Sequence, residues 1–136
     1  MAMLSGILPE EKPGAAAAYA DTSPGSIFFD PEIDGVPSCA ALEYMAQAMA
    51  AAAGRSRLRA GLAPAAGFLL GTRKMDIRTD RFARGRRYLV RAECTYSDGG
   101  FASFDCSIED EDGATAAAAA LTAYMPPDAA STEVRG

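Results

Sequence analysis

Cys39-Ala40-Ala41-Leu42-Glu43-Tyr44-Met45-Ala46-Gln47-Ala48-Met49-Ala50-Ala51-Ala52-Ala53 is the stretch on which the fold turns. Its residues favour helix almost throughout, and only Glu43 and Gln47 interrupt an apolar surface. Ser38 stands where an N-cap is wanted, and Gly54 stands where a helix ends at its C′ position, so a helix is predicted over residues 38–53. A helix that is apolar on every side is expected to be buried on every side. Alanine keeps it thin, so a sheet is expected to wrap closely around it.

Beyond an arginine-rich connection the apolar period changes to two. Gly67 to Arg78 reads as a strand. Tyr88, Val90, Ala92, Cys94 and Tyr96 alternate with Arg87, Leu89, Arg91, Glu93 and Thr95 in the next. Ala102, Phe104, Cys106 and Ile108 alternate with Ser103, Asp105 and Ser107 in a third. Asp98-Gly99 and Asp112-Gly113 are hairpin signals, and Ala114 to Met125 completes an antiparallel meander that Pro126-Pro127 ends. Ahead of the helix, Ala15 to Thr22 reads as a short strand. Residues 23–37, with Pro24, Gly25, Pro31, Gly35 and Pro37, read as a long ordered loop. Residues 1–14 are expected to form an irregular lead-in, and 127–136 a disordered tail. The sum is an α+β fold in which a long central helix is wrapped by an antiparallel sheet.

The 136 residues suit one domain spanning 1–136. Thirty are alanine and none is tryptophan, so the core relies on small side chains and close backbone approach. A net charge of −5 and a pI near 4.7 exclude a dedicated nucleic-acid binder. The chain has no histidine, which removes the commonest general base, the commonest zinc ligand and the usual pH switch. Cys39, Cys94 and Cys106 lack Cys-x-x-Cys spacing and read as reduced, buried, small apolar residues; no metal site is expected. The acidic loop Glu109 to Asp112 lacks the spacing of a calcium site and reads as a solvated turn. No signal-peptide pattern opens the chain, and no stretch approaches the ~18 apolar residues of a membrane span. The expectation is a soluble, cytoplasmic protein.

Charge is unevenly spread. Residues 55–91 carry eleven Arg or Lys against Asp76 and Asp80, while residues 1–54 and 92–136 balance at −6 and −8. Either an acidic part folds against a basic part, or a basic rim that includes Arg81, Arg84, Arg86 and Arg87 meets an acidic partner or a phosphate. Glu43 is the anomaly of the helix. A carboxylate there must be hydrogen-bonded, paired, protonated or open to a cavity, and Gln47 points the same way one turn later. The pair is therefore either a satisfied structural contact or a functional site. At the helix start, backbone N–H groups around Ser38 are placed to hold a carbonyl oxygen as it gains negative charge.

Gly35-Val36-Pro37, then Leu42-Glu43-Tyr44-Met45-Ala46-Gln47-Ala48, then Gly67-Phe68-Leu69-Leu70-Gly71-Thr72-Arg73, then Phe82 with Gly85, resembles the hotdog-fold 3-hydroxyacyl-ACP dehydratases, most of all the aryl-polyene biosynthesis branch. The resemblance spans residues 26–125. It implies a dimer with an acyl tunnel at the subunit interface, and a substrate carried on the phosphopantetheine of an acyl carrier protein, with no other cofactor. In such dehydratases a loop histidine takes the α-proton, and an acid on the helix of the other subunit helps the hydroxyl leave. Glu43 matches that acid and Gln47 the helix glutamine. The helix-start amide maps to about Ser38. Phe29, Val36, Pro37, Ser38, Phe68 and Gly71 are implied to line the substrate. The cluster Arg81, Arg84, Arg86 and Arg87 near Phe82, in a chain this acidic, reads either as a contact for a carrier protein or its phosphopantetheine phosphate or as a solvated strand edge that resists aggregation.

One departure is serious. The loop histidine would fall near Phe29, and no histidine elsewhere substitutes. Losing a general base costs typically ~10²–10⁴-fold in rate. Three readings follow. The chain is a non-catalytic or half-site subunit whose Glu43 faces the histidine of a hotdog paralogue; or it has independent activity as a homodimer, with Glu43 or a loop acid such as Asp30 or Asp34 acting alone, or as an acyl or aryl thioesterase using Glu43 and Gln47; or it is a non-enzymatic acyl-thioester binding module.

Overall fold

The computed structural model describes residues 4–8, 14–59 and 68–124. Eight strands and one long helix follow in the order β1 (Leu4–Leu8), β2 (Ala15–Ala20), β3 (Gly35–Pro37), α1 (Ala41–Arg59), β4 (Phe68–Ile77), β5 (Arg81–Ala83), β6 (Tyr88–Asp98), β7 (Phe101–Asp110) and β8 (Thr115–Tyr124). Six of the strands form an antiparallel sheet in the order β1-β2-β6-β7-β8-β4, and β3 pairs with β5 in a separate two-stranded sheet. The α+β arrangement of a central helix on an antiparallel sheet is the one expected.

Alternation explains the core. Val90, Ala92, Phe104, Cys106, Ile108, Ala117, Ala119, Leu121 and Ala123 point to one side of β6, β7 and β8 and are buried there. They meet Ala41, Tyr44, Met45, Ala48, Met49 and Ala52, the face of α1 that recurs at helical spacing. The hairpin β6–β7 turns through Gly99 and Gly100, with φ of 60° and 90°, one residue later than expected, because Asp98 already pairs with Phe101. At the β7–β8 turn, Asp110 Oδ1 accepts the N–H groups of Asp112 and Ala114, each at 2.9 Å, and Gly113 takes φ 85°.

Several expectations are corrected. The helix is not buried all round: Glu43 and Ala50 are exposed, and Leu42, Ala46 and Gln47 are half-buried. The physical reason is that, among the described residues, one sheet packs on one face of α1. The helix packs on β2, β6 and β7, with a lighter contact to β1, so the sheet wraps the face of α1 that bears Tyr44, Met45 and Met49 and leaves the face of Glu43 and Ala50 open. Gly54 does not end the helix, which continues to Arg59. A glycine in mid-helix costs about 1 kcal/mol against alanine, too little to stop a helix packed by its other residues. Ser38 is no side-chain cap; it opens a 3₁₀ turn, Ser38–Ala40, whose N-cap position is Pro37.

The lead-in is not irregular throughout, since Leu4–Leu8 pairs with β2 as an edge strand. Gly6 falls in the register shift between Ser5 and Ile7, and this break hides the alternation in sequence. The loop 23–37 ends in β3, a strand too short to leave a periodic signal. Cys39 is exposed, whereas Cys106 is buried and Cys94 half-buried; all three are free. Burial pushes the Cys106 thiol pKa up to about 12. The proposed tail lies outside the described residues. No helix among the described residues is long and apolar enough to cross a membrane.

Candidate functional site

The helix start is held by a corner built from β3, β5 and the loops beside them. Val36 sits opposite Phe82 in the β3–β5 pair, and both are fully buried. A Cβ on Gly35 would lie 2.5 Å from the Phe82 carbonyl oxygen, so only glycine lets the two strands approach this closely. Phe82 is edge-on to Tyr44 of α1 at 5.3 Å between ring centres and to Tyr88 of β6 at 5.1 Å. The Tyr44 hydroxyl donates to the Asp21 carbonyl at 2.9 Å, and the Tyr88 hydroxyl accepts the Ala83 N–H at 3.0 Å. Burial, with the nearby Asp21 charge, pushes the Tyr44 pKa well above its ordinary value, so this hydroxyl remains a donor.

Arginines close the corner from outside. The Arg84 guanidinium donates to both oxygens of Asp34, at 2.6 and 3.4 Å, while the Arg84 N–H donates to the Asp34 carbonyl at 3.0 Å. Arg84 holds the Asp34 carboxyl below the usual carboxylate range. Asp34 also has φ 51°, a left-handed conformation that asparagine and aspartate tolerate best. Arg81 donates to the Ile33 carbonyl at 2.9 Å. Arg86 reaches Glu111 at 3.0 Å and Asp112 at 3.3 Å, and Arg87 lies 4.9 Å over the Tyr19 ring. Each of the four arginines expected at a carrier contact is therefore engaged by its own chain, although all four remain exposed.

Glu43 stands in the first turn of α1 on the face turned away from the sheet. With Ala46, Gln47 and Ala50 it forms a strip of small and polar residues at helical spacing. Glu43 has no hydrogen-bond or ion-pair partner among the described residues, while Gln47 is engaged. The carboxylate is thus open, not locked into the scaffold. The Ser38 N–H, expected to polarise a substrate carbonyl, already donates to the Asp80 carbonyl at 3.3 Å, so the next amide along the turn belongs to Cys39.

The other expected lining residues scatter. Phe29, Pro37 and Ser38 are half-buried near the corner, whereas Val36 is sealed beneath it. Gly71 is exposed on β4, at the edge of the sheet and outside the strands on which α1 packs. The side chain of Phe68 lies outside the described residues. A shallow depression lined by Tyr19, Arg87, Leu89, Glu109, Asp110 and Glu111 contains none of the residues expected to bind substrate. One feature escaped the sequence: Ile27 and Phe28 are exposed in the loop ahead of the helix, at 56% and 42%.

The family model for the ApeP dehydratase matches residues 1–133. The chain belongs to the ApeP-like dehydratase family. This agrees with the aryl-polyene dehydratase branch that the sequence resembles, and it assigns a dehydratase-like role. The chain is similar in structure to the dehydratase heterocomplex ApeI:P from Xenorhabdus doucetiae, with a TM-score of 0.81 and 21% identity over 99% of this chain and 90% of that one. It is also similar to the E. coli PaaI protein from the phenylacetic acid degradation operon, with a TM-score of 0.66 and 15% identity over 88% and 78% of the two chains. A hypothetical thioesterase with coenzyme A from Streptococcus pneumoniae TIGR4 gives a TM-score of 0.63 and 13% identity over 88% and 84%. These likenesses establish the hotdog fold. No curated protein matches the chain.

Proposed function

We propose that this ApeP-like chain is the half-site subunit of a heteromeric 3-hydroxyacyl-ACP dehydratase. The observation that carries the reading is an open carboxylate, Glu43, on an uncovered helix face of a dehydratase-family chain that has no histidine. A partner hotdog chain covers that face and brings the base. The likeness to a dehydratase that is itself a heterocomplex supports this.

In the reaction, the partner's base removes the proton α to the thioester carbonyl. The electron pair forms the new double bond, and the 3-hydroxyl takes a proton from the Glu43 carboxyl and leaves as water. The developing oxyanion is held by amides at the helix start, where Cys39 follows the engaged Ser38. Gln47, one turn on, orients the hydroxyl beside Glu43. The acyl group arrives on the phosphopantetheine of an acyl carrier protein, which places the reaction in the cytoplasm. Because Arg81, Arg84 and Arg86 are engaged with carboxylates or carbonyls of their own chain, carrier contact through them rests on their remaining N–H groups.

The test is dehydration of a 3-hydroxyacyl-ACP by the purified chain, by the partner, and by the two together. Turnover is expected from the pair and not from this chain alone, and Glu43→Gln in the pair is expected to lower kcat by ~10²–10⁴-fold. Robust dehydration by the chain alone overturns the half-site reading. Release of free thiol without enoyl product would favour thioester hydrolysis instead.

A further inference from the structure

The sheet has two ends of different character. β1 closes one with five residues, whereas β4 closes the other with ten. Every residue from Gly71 to Arg78 is exposed, including Met75 and Ile77 at 38% and 39%. A long bare edge presents a row of N–H and C=O groups that another strand can pair with, and apolar side chains on it favour being covered.

Its charges are unusual. Arg78 binds Asp76 at 2.8 Å, which uses the strand's carboxylate, and neither Arg73 nor Lys74 has a partner among the described residues. Register against β8 breaks between Arg73 and Asp76, and Lys74 takes φ 55°, so a bulge stands in mid-strand where the two cations sit. Lysine has no side chain suited to that conformation, and such strain persists only where surroundings or function hold it.

We infer that Arg73 and Lys74 select the partner of this edge: they disfavour a second copy of this chain and favour a hotdog chain whose edge strand presents carboxylates opposite them. The inference rests on the heteromeric reading above. Two copies paired antiparallel about a two-fold axis near the middle of β4 bring four cations within two positions of one another, at cross-strand separations of about 5–8 Å. Like charges so placed oppose pairing, and an acidic strand removes the opposition and adds attraction. The same cations would also suit an edge protected against all pairing, which the experiment separates.

The experiment is sedimentation of the full-length wild-type chain, the R73E/K74E variant, and their equimolar mixture, at low and high salt. A mixed dimer is expected at least ~10-fold tighter than wild-type self-association, with the advantage shrinking as salt screens it. The neutral R73Q/K74Q variant is expected to self-associate more tightly than wild type, and it guards against a folding artefact of the reversal. Self-association of wild type equal to that of the mixture, or no mixed dimer at all, overturns the inference. Because the readout uses neither activity nor the natural partner, failure here leaves the dehydration test standing, and failure of the dehydration test leaves this result standing.

Discussion

Two groups of cations lie less than fifteen residues apart and behave oppositely. Arg81, Arg84, Arg86 and Arg87 each find a carbonyl, a carboxylate or a ring within the chain. Arg73 and Lys74, on the bare edge of the sheet, find nothing among the described residues. Both groups are cationic; topology makes the difference. β5 folds against the loop that carries Ile33 and Asp34, and the β7–β8 turn brings Glu111 and Asp112 to Arg86. β4, at the end of the sheet, has a neighbour on one side only. The lesson is that a run of arginines marks an interface only where the chain leaves it unsatisfied.

The sharpest way to break this contrast is to delete a side chain at each site. Phe82→Ala, which empties a fully buried position between two tyrosine rings, is expected to cost about 3–5 kcal/mol in denaturant unfolding. Met75→Ala on β4 is expected to leave the isolated chain within ~0.5 kcal/mol of wild type. Equal losses would show that β4 is packed by its own chain after all. A smaller effect comes from glycines. Gly35→Ala forces its Cβ against the Phe82 carbonyl and is expected to destabilise by roughly 1–3 kcal/mol, whereas a Cβ on Gly71 meets nothing within 4 Å and Gly71→Ala is expected to fold normally.

The smallest effect concerns pH. The Asp34 carboxyl has its pKa lowered in the folded chain, chiefly by the hydrogen bond from Arg84, from an ordinary value of 3.8. Its contribution is therefore present above about pH 4 and lost as pH falls through the lowered value. A slight acid-side loss of stability that disappears in Asp34→Asn is expected, and Arg73→Ala should leave that profile unchanged. A change of the acid limb on replacing Arg73 would mean that the edge cation is not free. Both groups of the pair are well exposed, so salt should weaken the effect.

Much of the frame was legible because it is local. Alternation in Tyr88–Tyr96 and Ala102–Ile108, the Asp-Gly turns and the helix-favouring run from Cys39 placed the main elements within a few residues. The misses share a cause. Gly54 and Ser38 carry local end signals that the tertiary packing of α1 overrode, and β1, β3 and β5 owe their existence to partners distant in the chain. Alanine misled most. Its side chain fits a buried surface or a bare one at little cost, so an alanine helix does not declare which face is covered.

Glu43 shows the same division. By itself the chain's sequence determined that one acid and one glutamine share a side of the otherwise apolar run from Cys39 to Ala53, that no histidine accompanies them, and that the strands run antiparallel, because these follow from composition and from periods of two and three to four residues. Only the tertiary structure decided that this side faces away from the sheet, that the Ser38 amide is taken, and which cations are paired. Those outcomes depend on contacts such as Arg84 with Asp34, fifty residues apart, and on how many layers one chain of this size can fold over its own helix.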